Sequence, residues 1–112
     1  MQSFYLEKFD REMGCTVAEW RMWLPAAMGD AVWSLQPQST ADLDGANGAL
    51  QARIPAVPGG ALQITWCAGA PRRIALFSLP RLHVGFAFSG VDDAQRYTFM
   101  KRFDLYMQRG GG

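Results

Sequence analysis

Apolar side chains recur at every second position along RLHVGFAFSG, residues 81–90. Four of them fall on one side of an extended chain: Leu82, Val84, Phe86 and Phe88. The single histidine of the chain, His83, falls on the other side. Because successive side chains of a β-strand point to opposite faces, this alternation predicts a strand with one buried and one exposed face. Such a strand requires neighbouring strands and a second layer that covers the apolar face.

The same period of two recurs between residues 31 and 90, and it predicts an antiparallel meander of four or five strands. The segment IALFSL, residues 74–79, is apolar on both sides, which is typical of a central strand. Turns are predicted at Asn47-Gly48, a favoured hairpin dipeptide, and at PAVPGG, residues 55–60, from its composition. The other predicted strands are AVWSLQ at 31–36, TADLD at 40–44, ALQARIP at 49–55 and LQITWC at 62–67.

Residues 3–13 predict an amphipathic helix before the strands. Their apolar side chains fall within about 100° of one another when the chain is drawn as a helix. Gly14 follows at a position that suits a helix end. The side chains of this apolar stripe are Tyr5, Leu6, Phe9 and Met13.

A second helix is predicted to begin at Val17. Thr16 and Glu19 have the spacing of a capping box, in which each side chain binds a backbone N–H of the other residue. Pro25 cannot donate a helical hydrogen bond, so a kink or a break is predicted there, and Gly29 is predicted to end the helix. An aromatic-rich stripe faces the core: Val17, Trp20, Trp23, Leu24 and Ala27.

A long C-terminal helix is predicted within residues 89–109. Ser89 or Asp92 caps its start, and acidic residues in the first turn and Arg109 at the end suit the helix dipole. Its stripe consists of Phe99, Met100, Phe103, Tyr106 and Met107. The fold class is therefore α+β: an antiparallel four- to five-stranded meander with two N-terminal helices and a long C-terminal helix packed on it.

Composition indicates one folded domain. The chain has 112 residues, 49% of them hydrophobic and 19% charged, so residues 1–112 fit a single domain, with 109–112 expected to fray. A net charge of +1 argues against affinity that rests on phosphate neutralisation, so no nucleic-acid partner is expected. Charges near the N-terminus leave no apolar leader or spanning segment, so we expect a cytoplasmic protein without membrane contact. Cys15 and Cys67 are expected to be free thiols.

Cys67 and His83 are the candidate catalytic residues. In a meander, both fall on the polar face of the sheet, which also carries Arg53. A thiolate is stabilised beside an imidazolium, so the pair has the chemistry of an activated nucleophile. The alternative is a solvated outer face. No nucleophile motif surrounds either residue, and the alternation alone leaves both interpretations open.

Arg96 lies on the apolar stripe of the last helix, one turn after Asp92. Either the stripe runs past the edge of the core there, with the arginine paired to Asp92, or the guanidinium guards a pocket and binds an anionic ligand. Cys15 precedes a helix N-terminus, where the dipole lowers the pKa of an exposed thiol. Burial beside the cap is the alternative for this cysteine.

Motifs for common chemistries are missing. DLDGANG, residues 42–48, has the look of a calcium loop, but position 12 of that loop is Arg53, where a bidentate glutamate is needed. No spacing matches a zinc, dinucleotide, kinase or serine-hydrolase signature. We therefore expect no metal and no cofactor, and an enzymatic function is not favoured.

Three amphipathic helices present more apolar surface than one face of the predicted sheet can bury. Four strands make a face about 19 Å wide, and helices packed about 10 Å apart cover it two at a time. The third stripe is expected to pack on the opposite sheet face, where Gly85 and Ala87 leave room, to meet a second subunit, or to cover a pocket for a small apolar or anionic ligand. Trp20, Trp23 and Tyr106 are the candidate anchors, and Arg53 and Arg96 are candidate ligand contacts.

The leading functional hypothesis is a small binding module for a protein or a ligand, homodimeric. A small enzyme is the first alternative, with a pocket between the sheet and the last helix that uses His83 with Arg53, Arg96 or Cys67. A structural subunit of a larger complex is the second alternative. A substrate, a partner and a pathway are not specified by these residues.

Overall fold

The computed structural model describes residues 4–36 and 47–109. Five strands form one antiparallel sheet, in the order β1-β7-β4-β3-β2, and two short strands, β5 and β6, form a separate hairpin. The elements are β1 (Lys8–Met13), α1 (Val17–Met28), β2 (Val32–Leu35), β3 (Asn47–Arg53), β4 (Ala61–Ala68), β5 (Arg72–Ile74), β6 (Phe77–Leu79), β7 (Leu82–Ser89) and α2 (Asp93–Arg109). The α+β class and the antiparallel sheet are confirmed.

The sheet is a meander extended by one N-terminal strand. β2, β3, β4 and β7 are neighbours in that order, and β1 pairs with the outer edge of β7. α1 therefore connects the two opposite edges of the sheet. The β5–β6 hairpin is inserted between β4 and β7, where the Gly69 N–H still donates to the Arg81 carbonyl at 2.9 Å.

The helix predicted over residues 3–13 is wrong, because this region supplies strand β1 and the described chain has two helices rather than three. Phe9 and Met13 lie four residues apart, a spacing that fits one face of a helix and also one face of a strand. Pairing with β7 decides between the two periods: Phe9 lies opposite Phe86, and their rings stack at 4.8 Å. Within β1 the exposed and half-buried residues alternate.

The hairpin turn predicted at Asn47-Gly48 is also wrong. Both residues lie in β3, opposite Cys67 and Trp66 of β4. A Cβ on Gly48 would overlap the Trp66 indole, so the glycine makes room for a core side chain instead of turning the chain. The strand predicted at 40–44 lies outside the described residues, as does most of the segment that resembles a calcium loop.

IALFSL is not a central strand. Its residues form the β5–β6 hairpin, whose turn is made by Ala75 and Leu76. Ala75 has a φ of 54°, the conformation that glycine usually supplies at a hairpin turn, so the usual sequence signal is missing. The predicted turn at 55–60 is confirmed, with the Val57 N–H donating to the Ile54 carbonyl at 3.3 Å.

The start of α1 is as predicted. The Glu19 N–H donates to the Thr16 hydroxyl at 3.1 Å, and the Thr16 N–H donates to the Glu19 carboxylate at 2.9 Å. Pro25 does not end the helix, which continues to Met28. The Pro25 carbonyl accepts a hydrogen bond from the Gly29 N–H at 3.2 Å. The missing proline hydrogen bond is therefore tolerated three residues before the helix end.

Asp92, one of the two predicted caps, starts α2. The Gln95 N–H donates to the Asp92 carboxylate at 2.8 Å, and the Asp92 N–H donates to the Gln95 side chain at 2.9 Å, so a second reciprocal capping box is formed. The helix runs to Arg109, and residues 110–112, expected to fray with it, lie outside the described residues.

Both helices cover the same face of the sheet, and the core fills the space between the layers. Phe103 of α2 lies 5.5 Å from Phe86 of β7 and 6.0 Å from Trp20 of α1, measured between ring centroids. Phe99 meets Phe88 at 6.1 Å. Because two helices fit this face, a surplus of helical stripes no longer supports a second subunit or a pocket. A groove of about 400 Å³ does lie at the edge of the helical layer, between α2 and residues 54–57.

Candidate functional site

The face of the sheet opposite the helices is open and carries the predicted thiol and imidazole side by side. Cys67 of β4 lies directly opposite His83 of β7, and both side chains are exposed. The Cys67 thiol donates to the Ala68 carbonyl at 3.7 Å. A shallow groove of about 560 Å³ borders the pair, and Thr65 and Asp10 line it over Gly85.

Glu12 lies opposite His83 on the other side, so carboxylate, imidazole and thiol form a row across three strands. The carboxylate already has cationic partners: Arg81 at 2.6 Å and Arg72 at 4.0 Å. The hydrogen bond from Arg81 lowers the pKa of Glu12. The negative charge of Glu12 therefore offsets the positive charges of Arg72 and Arg81 at the base of the hairpin.

Arg53 is exposed on the open face, where it lines a groove of about 880 Å³ that runs from β2 to the turn at 56–60. It stands away from the other predicted ligand contact, Arg96, which is buried beneath the N-terminal segment on the helix side. The structure therefore does not bring these two arginines into one site.

Arg96 is 9% exposed and is engaged in hydrogen bonds on several sides. Its Nε donates to the Tyr5 carbonyl at 2.9 Å, and one terminal nitrogen donates to the Val91 carbonyl at 2.6 Å. The other terminal nitrogen pairs with Asp93, not with Asp92 as the spacing predicted. Arg96 thus holds the N-terminal segment against α2, a contact that supports a structural role.

The three aromatic anchors lie in or beside the helical layer. Trp20 is fully buried between the sheet and α2, whereas Trp23 and Tyr106 are half-buried. The Arg102 guanidinium lies 4.4 Å from the centre of the Tyr106 ring and donates to the Ala27 carbonyl at 3.0 Å. Trp20 contributes to the core, and the Tyr106 ring is partly covered by Arg102.

Tyr5, Arg11 and Asp104 form a polar network that the sequence did not reveal. The Tyr5 hydroxyl donates to Asp104 at 2.7 Å, and Arg11 pairs with the other carboxylate oxygen at 2.7 Å. Burial and the hydrogen bond to Asp104 raise the pKa of Tyr5 to about 12. This network fastens the N-terminal segment and β1 to α2.

Cys15 is buried beside the start of α1. Burial, together with the nearby Glu19 carboxylate, raises the pKa of its thiol to about 11. The sequence left two alternatives for Cys15, an exposed thiol at the helix N-terminus and a thiol buried beside the cap. The structure shows the buried one. Cys15 and Cys67 are both free thiols, one buried and one exposed.

Stability is expected to fall as the pH rises above about 9. The folded chain keeps the protons of Cys15 and Tyr5 up to pKa values of about 11 and about 12, whereas ordinary groups lose them near 9.0 and 10.0. Because the folded state binds more protons in this window, the free energy of unfolding decreases with rising pH, by on the order of 2 kcal/mol for Tyr5. Below the window the contribution is fully present.

Urea unfolding at about pH 8 and about pH 11 measures this effect. The Tyr5→Phe variant removes one of the two titrating groups, so its stability should fall less between the two pH values than that of the wild type. An equal fall in both proteins would show that Tyr5 does not keep its proton as the structure indicates.

The largest exposed apolar feature is the β5–β6 hairpin, which the sequence assigned to the core. Arg72 pairs with Leu79, and Ile74 pairs with Phe77, so alternation places these four side chains on one face of the hairpin, called the hairpin face below. Leu76 at the turn is 100% exposed. The other face carries Arg73 and Ser78.

Residues 4–36 and 47–109 contain no group of three or more His, Cys, Asp or Glu side chains placed to bind a metal ion. Within the same ranges, neither helix is long and apolar enough to cross a bilayer.

Comparison with protein-family models, with curated proteins and with solved structures found no match to this chain.

Proposed function

We propose that the chain is a binding module that recognises a protein partner through the hairpin face. The observation that carries the proposal is the pairing of β5 with β6, which collects Ile74, Phe77 and Leu79 on one uncovered side. Clustered apolar surface of this kind marks an interaction site, whereas single exposed apolar residues are ordinary.

The distribution of exposed side chains supports this choice of surface. Ten large hydrophobic residues are exposed in the described part of the chain, and four of them lie within residues 74–79. The other six are spread over the N-terminal segment, β2 and the two helices: Phe4, Leu6, Met22, Val32, Leu35 and Leu105. Within the described residues, the hairpin is therefore the element that carries the most of these exposed residues.

The backbone of the hairpin supports it as well. A two-stranded hairpin with three residues in each strand is marginally stable alone in water. Ala75 holds a positive φ, which costs a non-glycine residue on the order of 1 kcal/mol. Strain and exposed apolar surface kept in one place are typical of a recognition element whose stability is completed by a partner.

Site-specific photo-crosslinking in the native host tests the proposal. A photoreactive phenylalanine analogue at position 77 is expected to give protein adducts, because this side chain is 71% exposed on the hairpin face. The same analogue at position 78 is the matched control, since it lies on the same strand and points to the other face. Equal adduct yields at positions 77 and 78 would contradict a binding function of the hairpin face.

An enzyme that uses Cys67 and His83 is the second candidate function. The observation in its favour is their direct cross-strand pairing on the open face, beside the groove at Gly85. Alkylation of the native protein at neutral pH reports the reactivity of Cys67 alone, because Cys67 is exposed and Cys15 is buried. We expect Cys67 to be alkylated in the native state and Cys15 only after unfolding.

The His83→Asn variant then tests whether the imidazole activates the thiol. A fall of about tenfold or more in the Cys67 alkylation rate supports an activated pair. Equal rates in the two proteins would remove this candidate. The Cys67→Ser variant is the control, and it should lose all labelling of the folded chain.

A further inference from the structure

We infer that the partner of the hairpin face is a second copy of this chain, bound through a twofold axis. The inference rests on the proposed function, because it names the occupant of the same surface. It commits to one arrangement, in which the two hairpins lie antiparallel with their apolar faces in contact. The reasons are the available area and the order of side chains along the face.

The area suffices for a modest dimer. The exposed fractions are 52% for Ile74, 100% for Leu76, 71% for Phe77 and 46% for Leu79. With about 200 Å² for a fully exposed large apolar residue, the three apolar side chains of the hairpin face leave roughly 340 Å² in water on each chain, and Leu76 at the turn adds roughly 200 Å². Two copies together offer on the order of 1,000 Å², which is the threshold of a specific interface before flanking residues are counted.

The order of side chains makes the hairpin face complementary to itself. Its base carries Arg72 and Leu79, and its tip carries Ile74 and Phe77. A twofold axis through the middle of the face puts the base of one hairpin on the tip of the other. In this antiparallel arrangement each strand lies over its own copy, so each Arg72 stem lies over Ile74 of the second copy and each Leu79 packs on the second copy's Phe77 ring.

Charge favours this orientation over the parallel one. A parallel contact would bring the two Arg72 side chains to the same end of the interface, about 5 Å apart across the strands, where like charges repel in a partly desolvated interface. The antiparallel contact moves them to opposite ends of the interface, about 7 Å apart along the strands, which is the rise from residue 72 to residue 74. Arg72 also stays within reach of Glu12 of its own chain, which lies 4.0 Å away.

Analytical ultracentrifugation of the purified full chain tests the inference. We expect a reversible dimer with a dissociation constant in the micromolar range, as an interface of this size allows. Phe77→Asp should raise the dissociation constant at least about a hundredfold, because it puts an unpaired charge at the centre of the contact. Ser78→Asp carries the same charge on the opposite face and should change it less than about threefold.

Both substitutions lie on an exposed hairpin, so circular dichroism and thermal unfolding should show folded proteins.

A mixed disulfide tests the orientation in a Cys67→Ser background. Chains with Phe77→Cys are expected to form the mixed disulfide faster with Leu79→Cys chains, which the antiparallel contact places opposite, than with Ile74→Cys chains, which a parallel contact would place opposite. The opposite order of rates would contradict the antiparallel contact.

Three outcomes overturn the inference. A wild-type protein that stays monomeric at every concentration excludes the second copy, and so does a dimer that Phe77→Asp leaves intact. A monomer that floats with phosphatidylglycerol vesicles through the same face assigns the hairpin to an anionic lipid surface. The proposed function is decided separately: adducts at position 77 to a different protein would support it while the second copy is excluded, and equal yields at 77 and 78 would contradict it.

Discussion

The Phe103→Ala variant is expected to lose about 3–5 kcal/mol of unfolding free energy, which is much of the stability of a domain this size. Phe103 is fully buried at the point where the two helices and the sheet meet. Its ring lies edge-on to Phe86 at 5.5 Å and also contacts Trp20 and Phe99, at 6.0 and 6.1 Å. Alanine removes these contacts and leaves a cavity that surrounding rings fill only in part.

Urea unfolding followed by tryptophan fluorescence measures the loss. Leu105→Ala is the matched control, because Leu105 lies on the same helix and is 44% exposed. It should cost no more than about 1 kcal/mol. A Phe103→Ala variant as stable as the Leu105→Ala variant would mean that α2 does not pack on the sheet through this residue.

The Arg96→Ala variant should lose about 3 kcal/mol or more, although it removes a charged residue from an apolar stripe. The substitution leaves the carbonyls of Tyr5 and Val91 buried without their donor. It also empties the volume that the guanidinium and its stem occupy. The Tyr5 contact is one of those that fasten the N-terminal segment, so β1 should loosen from β7.

Hydrogen exchange and urea unfolding together check this prediction. Amides of β1 should exchange faster in Arg96→Ala than in the wild type, while those in the middle of β4 change less. Lys101→Ala is the control on the same helix, because Lys101 is exposed and lies 5.6 Å from the Tyr97 ring. It should cost less than about 1 kcal/mol. A stable Arg96→Ala variant with unchanged exchange in β1 would contradict the structural role of this arginine.

The parts of the fold that the sequence predicted correctly are those with local signals. Thr16 with Glu19, and Asp92 with Gln95, satisfy backbone groups within three residues, so the starts of both helices are determined nearby. The alternation in residues 62–66 and 82–88 reports one buried sheet face, which also placed Cys67 and His83 on the other face.

The errors occur where two local interpretations were equally good. Phe9 and Met13 fit both a helix and a strand, and only pairing with β7, far along the chain, selects the strand. IALFSL has the composition of a buried strand, and its hairpin turn is hidden because alanine occupies the positive-φ position at Ala75. The count of three helical stripes followed from the first of these errors.

The polar network and the buried arginine were beyond local reasoning for a related reason. Tyr5 and Asp104 are 99 residues apart, and Arg11 and Asp104 are 93 apart, so no spacing rule connects them. Arg96 was recognised as unusual on an apolar stripe, but two of its acceptors, Tyr5 and Val91, are backbone carbonyls, which residue identity does not reveal.

The central claim is that the hairpin face is uncovered in the single chain and becomes covered when the chain binds a second copy of itself. Hydrogen exchange of the peptide that spans residues 72–79 tests it most directly, at about 1 µM and about 100 µM protein. We expect fast exchange in the dilute sample and slow exchange in the concentrated one, with the Phe77→Asp variant fast at both. Equal exchange of the wild type at the two concentrations would contradict the claim.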